Sequence, residues 1–454
     1  MTNHVLSYIP GQISLSNYTG DNPVASYQWA PGQYAKIESQ QMNYAMIANH
    51  VHMPNPYLPD STSATHVDSV FGELDRKAWL KGILIEVDWG RIESAASTWD
   101  WTFLDFVFNT VRGLPKTTGQ DKKIFLLINM RFFGLGDLTE FLPADLLTQP
   151  GANGGYYKNT TTFPPTNTNP DVNARKYNHA WCYEAANPSL PGSPVEPQGY
   201  NFNLYKFAAA AGTNTLKTRF YAFLDALAAK YGDDDVFAGI VTTEAATGNP
   251  FVAYEAGNSR NANYEGRLNM AKQMRSVFPN RIIAECVNFD TTYYNDMTAA
   301  GATDGLIANH LSFTTANYHL GTNLKLNNIN PILAGKIPIV MQIQGLDMRS
   351  MSGNRPQYYN WPTNPTQILS GDGINYNDPP TAQFLFNRLT YFNSNYAIIQ
   401  RNYATTPPGS TNTNIQNWPK WKIFMDGAVT SPNGGLLKND PYGGMNPTEP
   451  LIVV

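Results

Sequence analysis

"FAGIVTTEAATG", residues 237–248, is a short apolar run that stops at one carboxylate, Glu244, and gives way to a glycine turn. Its length suits a buried strand better than a helix, and runs of the same kind recur along the chain. From residue 40 onward they are "NYAMIANHVHMP" (43–54), "KGILIEVDWG" (81–90), "KKIFLLINMRFF" (122–133) and "FAGIVTTEA" (237–245). "RIIAECVNF" (281–289), "GLIANHLSF" (305–313), "KIPIVMQIQG" (336–345) and "NYAIIQRNY" (395–403) follow. Helix-like segments lie between several of them: "WTFLDFVFNTVRG", "LKTRFYAFLDALAAKYG" and "NYEGRLNMAKQMRSVFP" stop at Gly113, Gly232 and Pro279. Strands alternating with helices imply parallel βαβ units, and eight of them predict an α/β fold, a (β/α)8 TIM barrel. A doubly wound open sheet is the alternative, but "NHVHMPNP" after the first run is not a glycine-rich phosphate loop.

The polar residues sharpen this expectation. Each run is apolar in its first half and polar in its second. The pairs are His50 and His52, Glu86 and Asp88, Asn129 and Arg131, Thr242 and Glu244, and Glu285 and Asn288. Asn309 and His310, Gln342 and Gln344, and Gln400 and Arg401 complete the series. Many are two residues apart and so share a strand face. An unpartnered buried polar group costs on the order of 1–3 kcal/mol. Their repetition therefore places them at the C-terminal face of a barrel, where catalytic groups gather. The expected organisation is an N-terminal extension over 1–42 and a barrel over 43–454, with long-loop insertions on the catalytic face at about 134–205 and 346–385. Loops of this length tend to be functional, and these carry Tyr156, Tyr157, Trp181, Tyr358, Tyr359 and Trp361. Such rings stack on sugar faces.

Composition narrows the classes. The 454 residues carry a net charge of -4, so there is no basic footprint for nucleic acid. Only 15% are charged, against about 25% in an average domain. The surface must then be rich in Asn, Thr, Ser, Gln and Tyr, a composition that leans towards secreted or virion-surface proteins. Two cysteines, Cys182 and Cys286, make no disulfide framework, and Cys286 in its apolar run reads as a buried thiol. The start, "MTNHVLSYIPGQISL", has no charged segment followed by an apolar core, so no signal peptide is expected. No apolar run approaches the ~20 residues of a membrane span.

"GILIEVDWGRIESAASTWDWTFLDFVFNTVRG" (82–113) resembles the second strand and following helix of the clan A glycoside hydrolases, especially β-galactosidase-like families. The likeness rests on Trp89, Arg91-Ile92-Glu93, Trp99-Asp100-Trp101 and Leu104-Asp105. "RFYAFLDALAAKYGDDDVFAGIVTTEAATG" (219–248) is similar to the helix and fourth strand that deliver the clan's acid/base glutamate, which Glu244 matches. Three positions depart from the pattern. Thr243 stands where the clan has Asn, and Ile83 where its second-strand arginine belongs. Gln342 and Gln344 end the seventh run, where the clan keeps its nucleophilic glutamate.

Glycoside hydrolysis normally needs two carboxyl groups, about 5–5.5 Å apart for retention and 6.5–9.5 Å for inversion. Glu244 is expected to be the proton donor, since a desolvated acid at a strand end is how such a group is tuned. Glu285, on the neighbouring strand, leads as its partner. Asp88 and Glu86 follow, and then Asp347 just beyond the seventh run. Trp89, Asn129, Arg131, Asn288, His310, Gln342 and Gln344, with His50 and His52, would contact the carbohydrate. No cofactor and no metal are needed for this chemistry.

Three alternatives stay open. "HVH" closing the first run, with His310, is a pattern by which amidohydrolase-type barrels hold a metal, although the fifth-strand histidine and the eighth-strand aspartate are absent. A polysaccharide lyase could use His310, Tyr and Arg for β-elimination. A non-catalytic carbohydrate-binding or virion structural barrel is favoured by the missing seventh-strand glutamate.

Overall fold

The computed structural model describes residues 30, 32–37, 70–132, 142–148, 204–243, 260–287, 311–316, 337–343 and 394–400, with short pieces at 8–9, 12–13, 27–28 and 200–201 and single residues at 306, 309, 389, 421, 425 and 426. Eight parallel strands close into one barrel. They are β1 Gly32–Ile37, β2 Leu80–Val87, β3 Lys123–Ile128 and β4 Phe237–Thr242. β5 Ile282–Cys286, β6 Ser312–Ala316, β7 Ile339–Ile343 and β8 Tyr396–Gln400 complete the circle. Neighbours in the chain are neighbours in the barrel, and β8 pairs with β1 to close it. The expected (β/α)8 architecture is the observed one.

Two strands lie elsewhere than expected. The first is Gly32–Ile37, not 43–54, so the barrel begins inside the stretch assigned to an N-terminal extension. "GQYAKI" has no continuous apolar run, because its polar residues are partnered by distant parts of the chain. Gln33 accepts from Trp421 Nε1 at 2.9 Å, and Lys36 pairs with Glu86. The sixth strand is Ser312–Ala316, downstream of the expected 305–313. The apolar residues that drew attention upstream, Leu306 and Leu311, are buried and joined by a backbone hydrogen bond just ahead of the strand.

Besides short turns of helix at Trp89–Ile92 and Ala144–Thr148, four longer helices lie among the described residues: α1 Val70–Arg76, α2 Thr102–Arg112, α3 Thr215–Tyr231 and α4 Arg260–Val277. Their sequences dictate where they start and which face is covered. Asn214 caps α3 by accepting from the Lys217 N–H at 2.9 Å. On α2, Phe103, Leu104, Val107, Phe108 and Val111 form one buried stripe at helical spacing. The helix α4 approaches the turn at Leu204–Phe207 so closely that a Cβ at Gly266 would lie 1.8 Å from the Leu204 carbonyl oxygen.

Register fixes which side chains face inward. In the lower half of the barrel, Tyr34 of β1 meets Phe125 of β3 at 4.8 Å between ring centroids, and Phe125 meets Tyr396 of β8 at 5.5 Å. The Tyr34 ring spans β2 only because Gly82 lies beneath it; a Cβ there would come within 2.4 Å of the ring. The Tyr34 hydroxyl donates to the Ala30 carbonyl at 2.6 Å, and burial pushes the phenol's pKa well above its ordinary value. With Tyr34, Phe125 and Tyr396 inside, Gln33 and Thr242 face the helix layer, as their contacts with Trp421 and Arg267 require.

At the opposite, N-terminal end of the strands, Lys122 is buried and donates to the carbonyls of Lys77 and Leu80 at 2.9 and 2.7 Å. Desolvation, with the nearby Lys81 charge, lowers its pKa from 10.5 to about 8. The native state thus holds this proton less tightly than the unfolded chain. Its contribution to stability is present above 10.5 and lost as pH falls through about 8. Relative to a Lys122→Met variant, the native chain should gain on the order of 1–3 kcal/mol as pH rises from 7.5 to 10.5. Urea unfolding of both proteins at several pH values checks it; a flat difference would mean that the ammonium is solvated.

Candidate active site

The C-terminal mouth of the barrel carries the polar residues that register turns inward. Glu86, next to last on β2, forms an ion pair with Lys36 of β1 at 2.8 Å, each side chain 12% exposed. Asp88, one residue past β2, is buried; its Oδ1 accepts from Asn129 Nδ2 at 2.7 Å and its Oδ2 lies 3.7 Å from Arg91 Nε. Thr243 follows β4, and its hydroxyl is buried with no hydrogen-bond partner among the described residues. Cys286 ends β5 as a buried free thiol, as its apolar run predicted, and is in register with Thr314 of β6. The Thr314 hydroxyl accepts from Gln342 Nε2 of β7 at 3.2 Å. Around the mouth, then, run an ion pair, a carboxylate held by an amide, an unsatisfied hydroxyl, a thiol and an amide–hydroxyl pair.

Two expected site residues have other tasks. Glu285, the leading partner for Glu244, is fully buried and faces the helix layer. Its Oε1 accepts from Arg267 Nε of α4 at 2.9 Å, and its Oε2 accepts from the Thr242 hydroxyl at 2.8 Å. Strand alternation is the reason: Ala284 and Cys286 take the inner face, so Glu285 takes the outer one. Trp89 is likewise no sugar platform. Its ring is buried, stacked on Phe223 at 5.9 Å and edge-on to Phe220 at 5.3 Å, and its Nε1 donates to Glu93 Oε2 at 2.6 Å. The stretch that carries the clan A resemblance thus folds as a structural unit. Glu93 also accepts from the Ser97 N–H at 2.8 Å and pairs with Arg219 of α3 at 2.8 Å, which ties the hairpin after β2 to the helix layer.

Glu86, Asp88, Asn129 and Gln342 are therefore brought together at the mouth. The backbone of Arg131 pairs with Asn201 in a two-stranded ribbon with Phe132 and Tyr200, which closes the base of the insertion after β3. Glu244, His50, His52, Asn288, His310, Gln344, Asp347, Trp181 and Trp361 lie outside the described residues. In sequence, His310 precedes Ser312–Ala316 and His50 and His52 follow Gly32–Ile37 by more than ten residues, so neither position ends one of the eight described barrel strands. Sequence reading missed Lys36, Arg91, Thr314 and Arg267. Two left a signal: Arg91 in the motif that carries the resemblance, though not as a site residue, and Lys36 as a lone cation in an otherwise uncharged hexapeptide.

A closed parallel barrel with helices between its strands and polar groups at its C-terminal mouth defines a (β/α)8 protein of the TIM-barrel class. No protein-family model matches the sequence, and no curated protein matches it. Among solved structures, the chain is similar to endo-glycoceramidase II from Rhodococcus sp., at 13% identity over 84% of this chain and 74% of that one, with a TM-score of 0.42. It is similar to a β-galactosidase from the Antarctic haloarchaeon Halorubrum lacusprofundi at 10% identity over 81% and 52%, with a TM-score of 0.39. An exo-β-1,4-mannosidase from Opitutaceae bacterium strain TAV5 gives 12% identity over 72% and 48%, with a TM-score of 0.35.

Proposed function

We propose that this chain hydrolyses glycosidic bonds of a poly- or oligosaccharide at the mouth of its barrel. One observation carries the reading: the inward-facing carboxylates, amides and hydroxyls of Glu86, Asp88, Asn129, Thr243, Thr314 and Gln342 meet there. Each described charge at the mouth is balanced by a neighbour, Glu86 by Lys36 and Asp88 by Arg91. Such a lining suits a neutral polyhydroxyl ligand. The buried, unsatisfied hydroxyl of Thr243 is the kind of group a ligand completes.

Glu244, adjoining Thr243 in the chain, is the proton donor. With Glu285 engaged by Arg267, the second carboxyl comes from β2, as Asp88 held by Asn129 or as Glu86. β3 separates β2 from β4. A pair drawn from these two strands would act by single displacement with inversion, for which carboxyls about 6.5–9.5 Å apart are needed. Arg131, Asn288, Gln344 and Asp347, near strand ends in sequence, and Trp181 and Trp361 on the two insertions would contact further sugar units.

Incubation with a panel of neutral and acidic glycans, with product analysis, tests this. New reducing ends on a neutral glycan are expected. Products with unsaturated-sugar absorbance would make the protein a lyase instead. A second reading is favoured by Gln342 on the inner face of β7: a carbohydrate-binding barrel without turnover, for which binding with no product in long incubations would be the sign.

A further inference from the structure

Behind the mouth, between β4, β5 and α4, one guanidinium gathers two strand ends. The parallel pairing of β4 with β5 runs no further than Val241 opposite Ala284. Beyond it the strand-end carbonyls have lost the ladder, and Arg267, 2% exposed, takes its place. Its Nη2 donates to the Thr243 carbonyl at 2.6 Å and to the Cys286 carbonyl at 3.3 Å, while its Nε donates to Glu285 at 2.9 Å. Thr242 locks the same corner from the other side. Its hydroxyl donates to Glu285 at 2.8 Å and accepts from the Cys286 N–H at 2.8 Å. Only a planar fork with several fixed donors can hold one carboxylate and two carbonyls at once.

The Thr243 carbonyl belongs to the rigid peptide unit that also contains the Glu244 N–H. We propose that Arg267 and Glu285 are a positioning pair: they fix the peptide from which Glu244 leaves β4, and with it the aim of the acid. This rests on the glycosidase reading in which Glu244 is the proton donor. Neither residue touches the substrate. A misplacement of about 1 Å at a reacting group can cost up to ~10²-fold in rate, so a corner held by these five hydrogen bonds is a sound place from which to hang it.

Arg267→Lys is the test, because it keeps the charge opposite Glu285 but places all its donors on one nitrogen, which cannot span three separate acceptors. We expect kcat to fall about tenfold with KM within twofold, and the pH profile of kcat/KM to shift, at a temperature where unfolding curves show the variant native. Hydrogen–deuterium exchange over residues 237–248 should rise at least threefold, with β8 unchanged. If Arg267→Lys does not fold, Thr242→Val removes the hydroxyl and its bonds to Glu285 and the Cys286 N–H at nearly the same volume, and should show the same pattern more weakly. Native kcat, pH profile and exchange in a folded variant overturn the positioning role while Glu244→Gln still abolishes turnover. A native chain that cleaves no glycan overturns the glycosidase reading itself, and the positioning role with it.

Discussion

Glu285→Ala should lower the unfolding free energy by about 3–5 kcal/mol, the usual cost of leaving a buried charge without its partner. Both side chains of the Arg267–Glu285 pair are almost fully enclosed, at 2% and 1% exposure. Removing the carboxylate strands the guanidinium in a low-dielectric corner and also leaves the Thr242 hydroxyl without its acceptor. Arg267→Ala should cost as much, since it frees Glu285 together with the Thr243 and Cys286 carbonyls. The double variant Arg267→Met/Glu285→Leu should be more stable than either single one, because no charge is left behind. Urea unfolding of the four proteins checks that order of stabilities. A loss below about 1 kcal/mol for Glu285→Ala would mean that water reaches the pair.

Glu244→Gln should reduce turnover of the cleaved glycan by ~10²–10⁴-fold, the range contributed by a positioned acid–base group. The amide keeps the shape and cannot give up a proton to the leaving oxygen. The basic limb of the native pH profile, which reports loss of that proton, should vanish in the variant. Activity within tenfold of native would end the assignment of Glu244 as the acid. The two acids are told apart by readout: Glu285→Ala moves the denaturation midpoint and lowers kcat only modestly, whereas Glu244→Gln lowers kcat by the full acid–base range.

Much of the barrel was legible before any coordinate. Seven strands were found within a few residues of their places or a short shift away, because a parallel strand buried on both faces must read as an apolar run. The helices ended at the expected Gly113 and Gly232, whose N–H groups bond back to the Asn109 and Ala228 carbonyls of the last turn. Gly32–Ile37 escaped because its stabilising contacts are remote: Trp421 for Gln33 and Glu86 for Lys36. No local pattern records a partner so far along the chain.

The site divides along the same line. By itself the sequence determined that polar residues collect at the strand ends, and that β7 offers Gln342 in place of a carboxylate. Only the tertiary structure decided which of them share the mouth. A strand's period of two puts adjacent residues on opposite faces, so a shift of one residue exchanges the lumen for the helix layer. Glu86 and Asp88 fell on the inner face and Glu285 on the outer one, against an arginine that α4 brings from eighteen residues upstream. Residue type announced three acids at strand ends; the closure of the barrel and the packing of one helix made one of them a structural anion.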